Sequence, residues 1–69
     1  MVDIRDKNDR LACKGDPVNG ILVYEDKRQK WKVSLPVGGR MIIERKGAKT
    51  TITRTDTTHF KVDRELETA

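Results

Sequence analysis

Lys30–Arg54, KWKVSLPVGGRMIIERKGAKTTITR, is the stretch whose reading decides the fold. From Lys30 to Leu35 the residues alternate: Trp31, Val33 and Leu35 point one way, Lys30, Lys32 and Ser34 the other. That period of two is the mark of a half-buried strand. Pro36 cannot donate to a strand ladder and ends it, and Gly38-Gly39 turns the chain. Arg40 to Lys46 is the next strand, and Lys46-Gly47 has the chemistry of a tight hairpin turn. If Arg45 pairs with Ala48, then Glu44 faces Lys49, Ile43 faces Thr50 and Met41 faces Ile52. This register gathers Met41, Ile43, Ala48 and Ile52 on one face and sets an opposite-charge pair on the other. A three-residue turn would slip the register and scatter the apolar residues.

Outward from this centre the same signals recur. Val2 and Ile4, then Leu11 and Cys13, alternate around Asp6-Lys7-Asn8-Asp9 and predict a short hairpin, with a single helical turn as the competing reading. Gly15 to Gly20, GDPVNG, is a turn: proline pre-sets φ, Asp16 can bond back to the backbone, and Asn19-Gly20 supplies positive φ. Ile21 to Glu25 opens with the apolar run ILVY and predicts a strand covered on both faces. Glu25 to Gln29 is a polar loop. Thr50 to Thr58 holds six threonines in nine residues, favouring a half-exposed strand over a helix. A last strand, Thr58 to Val62, leaves Asp63–Ala69 as a charged tail, frayed or briefly helical.

The expectation is therefore an all-β domain, a small barrel or roll of five to seven short antiparallel strands. It spans residues 1–62, with 63–69 as a charged C-terminal tail. The expected core is Leu11, Cys13, Ile21, Val23, Trp31, Val33, Leu35, Met41, Ile43, Ile52, Phe60 and Val62.

The succession Cys13-Lys14, the turn from Asp16 to Gly20, and Leu35-Pro36 before a Gly-Gly turn resemble short uncharacterised proteins encoded by bacteriophages and mobile elements of Gram-positive bacteria. The resemblance covers most of the chain. It implies no assigned activity and raises the expectation of a small regulatory or host-interaction role.

Composition narrows the function classes. A chain of 69 residues buries roughly 60% of the surface its unfolded form exposes, so its core is thin. Cys13 is the single cysteine, which rules out an internal disulfide and fits a reducing cytoplasm. Cys13 and His59 lie too far apart in sequence to suggest a metal site, and no cofactor motif is present. Self-association is the remaining route to extra burial. The N-terminus is charged with no apolar h-region, and the longest apolar run, Ile21 to Tyr24, is far short of a membrane span. Nor is there a nucleophile elbow, a phosphate-binding loop or a zinc-protease motif. If the segment is a strand, Asp56 and Thr58 share one face and Thr57 and His59 the other, so acid, hydroxyl and imidazole would not converge without a bulge. The reading is a protein that is not an enzyme.

Charge is distributed unevenly. Residues 1–27 carry a net −1, residues 28–54 a net +7 and residues 55–69 a net −2. A basic centre of this kind can hold a local field. Lys30, Lys32, Arg40, Arg45, Lys46, Lys49 and Arg54, with the hydroxyls of Thr51 and Thr53, are the candidate binding residues. Their first expected partner is nucleic acid, held by phosphate contacts. Trp31 and Phe60 are expected in the core, so base stacking is not. The alternative is a protein-binding module: a regulator or inhibitor that meets an acidic protein surface, or a homo-oligomer formed along the edge of the threonine-rich strand.

Overall fold

The computed structural model describes residues 1–26 and 28–66, with the side chain of Asp26 left aside. Residue 27 of the charged loop and residues 67–69 of the tail lie outside the described residues. Among the described residues every regular element is a strand: β1 Val2–Arg5, β2 Leu11–Asp16, β3 Ile21–Asp26, β4 Gln29–Ser34, β5 Arg40–Arg45, β6 Ala48–Arg54 and β7 Phe60–Leu66. They pair antiparallel in two meanders, β1-β2-β3-β4 and β5-β6-β7. The all-β expectation holds. No strand pairing joins the two sheets into a closed barrel among the described residues.

The turns form where the sequence places them. Lys46 and Gly47 both take positive φ, 50° and 77°, which is the two-residue turn whose twist matches flanking strands. The resulting register is the one predicted, Arg45 opposite Ala48 and Met41 opposite Ile52. Asp16 Oδ1 accepts from the backbone amides of Val18 and Asn19, and its Oδ2 accepts from Asn19 Nδ2. These bonds hold the Asp16 carboxyl below its usual range, the Asn19 side-chain bond contributing most. At the first hairpin Asp6 Oδ1 accepts from the amides of Asn8 and Arg10 at 2.9 and 3.0 Å, which satisfies an otherwise costly buried carboxylate.

One core lies between the sheets. Ile4, Ala12, Cys13 and Leu22 come from the first sheet, Leu35 from the crossover, and Ile43 and Ile52 from the second. Tyr24, Val33, Met41, Phe60 and Val62 pack around them. Burial pushes the Cys13 thiol up to about 11, which makes it a poor nucleophile at neutral pH.

Several expectations are corrected. Leu22, rather than its neighbours Ile21 and Val23, is the fully buried residue of β3, because this strand turns only one face to the other sheet. Leu11 is 40% exposed: the register shifts between Ile4 and Arg5, and the bulge leaves Leu11 outside while Ala12 and Cys13 are both buried. Trp31 is 50% exposed although its alternation partner Val33 packs on the core. The threonine-rich strand β6 is no edge; it is paired on both sides, and Thr50 is fully buried with its Oγ1 lacking a hydrogen-bond partner among the described residues. β7 continues through Asp63, Arg64, Glu65 and Leu66, paired to β6, where a frayed or helical tail was expected.

Candidate nucleic-acid interface

The predicted basic patch divides between the two sheets. Lys30 and Lys32 lie on β4, on the face turned away from Leu22 and Val33. Arg40, Lys49, Thr51 and Thr53 lie on the outward face of the second sheet. Among the described residues β4 neighbours only β3, so its lysines do not extend the Arg40 surface as they would if β4 and β5 were paired.

On the second sheet the charges are ordered in rows. Arg40, Thr53 and Lys61 form one row across β5, β6 and β7; Ile42, Thr51 and Asp63 the next; Glu44, Lys49 and Glu65 the third. Lys49 therefore lies between two carboxylate-bearing positions, and its local field is largely cancelled. Arg45 is half-buried on the core-facing side opposite Ala48, and Lys46 is exposed at the hairpin tip.

Arg54 has a structural task. Its Nη1 donates to the Leu35 carbonyl at 2.9 Å, and its Nη2 donates to the carbonyls of Val18 and Thr57 at 3.3 and 3.0 Å. One guanidinium thus ties the β2–β3 turn and the crossover to the second sheet. Gly20 lies directly beneath it at φ 67°; a Cβ there would come within 2.5 Å of the guanidinium carbon and 2.7 Å of the Leu35 oxygen. Only glycine combines that backbone conformation with that clearance. The crossover is also pinned by backbone: Leu35 N donates to Gly20 O, Gly38 N to Arg54 O, and Arg54 N to Gly39 O.

The first sheet presents a simpler surface. Lys14, Val23 and Lys32 form a row across β2, β3 and β4, next to the pair Glu25–Lys30. These residues, with Met1, line a shallow depression. Lys30 Nζ stands 3.6 Å from Glu25 Oε1, with both side chains about two-thirds exposed. An ion pair this exposed contributes under about 1 kcal/mol and yields to a competing anion. Arg28, just before the strand, is exposed as well.

Trp31 changes the chemistry of this edge. It lies between Lys30 and Lys32 in sequence, projects from the other side of the strand, and faces Tyr24 across the β3–β4 pair. Val33, two residues on, is covered by the core, whereas Trp31 is half open to solvent. β4 thus offers ammonium groups on one side of an open edge and an aromatic face on the other. Lys14 and Lys61 are not among the candidate binding residues read from the sequence, and Trp31 was expected in the core. The lysines need cross-strand registers beyond the central hairpin, and alternation gives the face of Trp31 but not how far the opposite sheet extends.

Asp56, Thr58 and His59 do converge, contrary to expectation, because 55–59 is a loop and not a strand. Asp56 Oδ1 accepts from the Thr58 amide at 2.8 Å, and His59 Nδ1 lies 2.9 Å from Asp56 Oδ1 and 3.0 Å from Thr58 Oγ1. The Thr58 amide bond, followed by the His59 contact, holds the Asp56 carboxyl at about 2. Acid and hydroxyl share one ring nitrogen, so the imidazole cannot pass a proton from hydroxyl to carboxylate across its ring, as a catalytic triad requires. The cluster is exposed and closes the loop.

No protein-family model, no curated protein and no solved structure matches this chain.

Proposed function

We propose that the chain is a small, non-enzymatic binding protein of the cytoplasm that takes single-stranded nucleic acid along β4. Lys14, Lys30 and Lys32 meet successive phosphates, and Trp31 stacks with a base. The observation that carries this reading is Trp31, half exposed between two lysines on an open edge. Aromatic faces flanked by cations bind single strands with little regard to sequence, each stacked base being worth about 1–3 kcal/mol. Read as a small roll of two meanders, the domain leaves β4 uncovered for such a ligand. Arg40 and Lys49 are secondary in this scheme, and Arg45 and Arg54 take no part.

Trp31 is the chain's one tryptophan, so its fluorescence reports binding directly. Titration with an oligothymidylate or oligouridylate at low salt is expected to quench it. Three neutralised phosphates give a slope of log K on log salt of about −2. Trp31→Ala should weaken binding roughly tenfold or more without altering that slope. Absence of binding to single strands at low salt, by fluorescence and by gel shift, defeats the proposal. Capture of a protein from nuclease-treated extract, with no nucleic-acid binding, would instead favour an acidic protein surface as the partner of the same lysines.

A further inference from the structure

The second sheet ends at β5, which among the described residues pairs with β6 on one side only. Its sequence, RMIIER, places Arg40, Ile42 and Glu44 on the outward face and Met41 and Ile43 on the core face. Ile42 is 49% exposed there. A strand edge with an exposed apolar centre is a template for pairing with another strand. We propose that β5 is the interface of a homodimer, two copies pairing β5 antiparallel about Ile42 to form one continuous six-stranded sheet.

The occupant follows from the order of the side chains. About a twofold axis at Ile42, Arg40 meets Glu44 of the second copy, and Glu44 meets Arg40 of the second copy. On the same face Ile42 meets Ile42 of the second copy. On the core-facing side Met41 meets Ile43 of the second copy, twice by symmetry. Every pair is opposite-charge or apolar, the combinations that stabilise cross-strand contacts. A twofold contact requires this kind of self-complementarity. The match extends beyond the two edge strands. The row Lys61–Thr53–Arg40 continues into Glu44–Lys49–Glu65 of the second copy, so charge alternates across the seam.

Neither β4 paired about Trp31 nor β7 paired about Asp63 has this property. Self-pairing of β4 about Trp31 would set Lys30 against Lys32 of the second copy, and self-pairing of β7 about Asp63 would set two aspartates on the axis. A domain this small also gains from the extra burial.

The test is light scattering and sedimentation of the full chain over concentrations reaching millimolar, with charge variants of β5. The wild type is expected to associate to a dimer. Arg40→Glu and Glu44→Arg should each raise its dissociation constant about tenfold or more, since each turns two attractions into repulsions. An equimolar mixture of the two variants should recover dimers, because each reversed charge then faces an opposite charge on the other copy. Ile42→Lys should give a monomer. A wild type that stays monomeric throughout, or a dimer unmoved by Arg40→Glu, overturns the proposal. The mixing experiment keeps the result readable if Ile42→Lys fails to fold.

Discussion

β4 and β5 are consecutive in the chain, equal in length and, among the described residues, each paired on one side only, yet their edges are opposites. β4 carries two like charges around an aromatic ring. β5 carries unlike charges around an aliphatic centre. An edge of the first kind repels its own copy and attracts a polyanion; one of the second kind fits its own copy. The order of charges along an edge strand, more than their number, sets what can cover it. Net charge could not reveal this, since both strands lie in the same basic segment of the sequence.

The largest effect is expected from breaking what both edges share. Arg54→Ala removes the guanidinium that ties Val18, Leu35 and Thr57 together. Hydrogen bonds to a charged donor contribute about 1.5–3 kcal/mol each, screened here by partial exposure, so a loss of about 2–4 kcal/mol is expected. In a domain this size that lowers Tm by at least ~10 °C, readable by thermal circular dichroism. A change of only a few degrees would mean that the core alone holds the two sheets.

Lys32→Glu sharpens the comparison by converting one edge into the other kind. Paired about Trp31, Lys30 would then face the introduced carboxylate of a second copy, and β4 would become self-complementary. The expected outcome is weaker nucleic-acid binding, by roughly one phosphate contact in the salt slope. It should be accompanied by association beyond the dimer, because the chain then has two self-pairing edges. Sedimentation that shows the same assembly as the wild type would break the charge-order argument.

The smallest effect serves as a control. Thr50→Val replaces a buried hydroxyl that lacks a partner among the described residues with a methyl group on the core face opposite Ile43, and leaves every outward-facing charge of β4 and β5 in place. Removing an unsatisfied polar group should raise stability by about 1 kcal/mol, with nucleic-acid binding and dimerisation unchanged. A loss of stability would show that the hydroxyl has a partner in solution.

Much of the fold was legible in the residues, and the reasons are local. Lys46-Gly47 sets the turn, the turn sets the register, and the register places Met41, Ile43 and Ile52 together. Asp16 to Gly20 is equally self-contained. The site was read less well because it depends on how strands far apart in sequence are grouped. The basic residues between Arg28 and Arg54 suggested one patch, whereas Pro36 to Gly39 carries the chain from one sheet to the other and parts Lys32 from Arg40. Polar composition suggested an exposed edge for β6, yet Thr50 is buried at the middle of its sheet. Alternation could show that Trp31 shares a face with Val33, but not that the opposing sheet stops short of it. Arg54 looked like any other surface cation because its acceptors, Val18 and Leu35, are 36 and 19 residues away.

That separation bears on the order in which the molecule assembles. Among the described residues every strand pairs only with its neighbours in the chain, so each meander can form from short-range contacts, which are fast to make. The Arg54 clasp requires both meanders to be in place and belongs to the docking step that follows. Interactions absent from the transition state govern unfolding more than folding. Loss of the guanidinium should therefore leave the refolding rate nearly intact and shorten the lifetime of the native state.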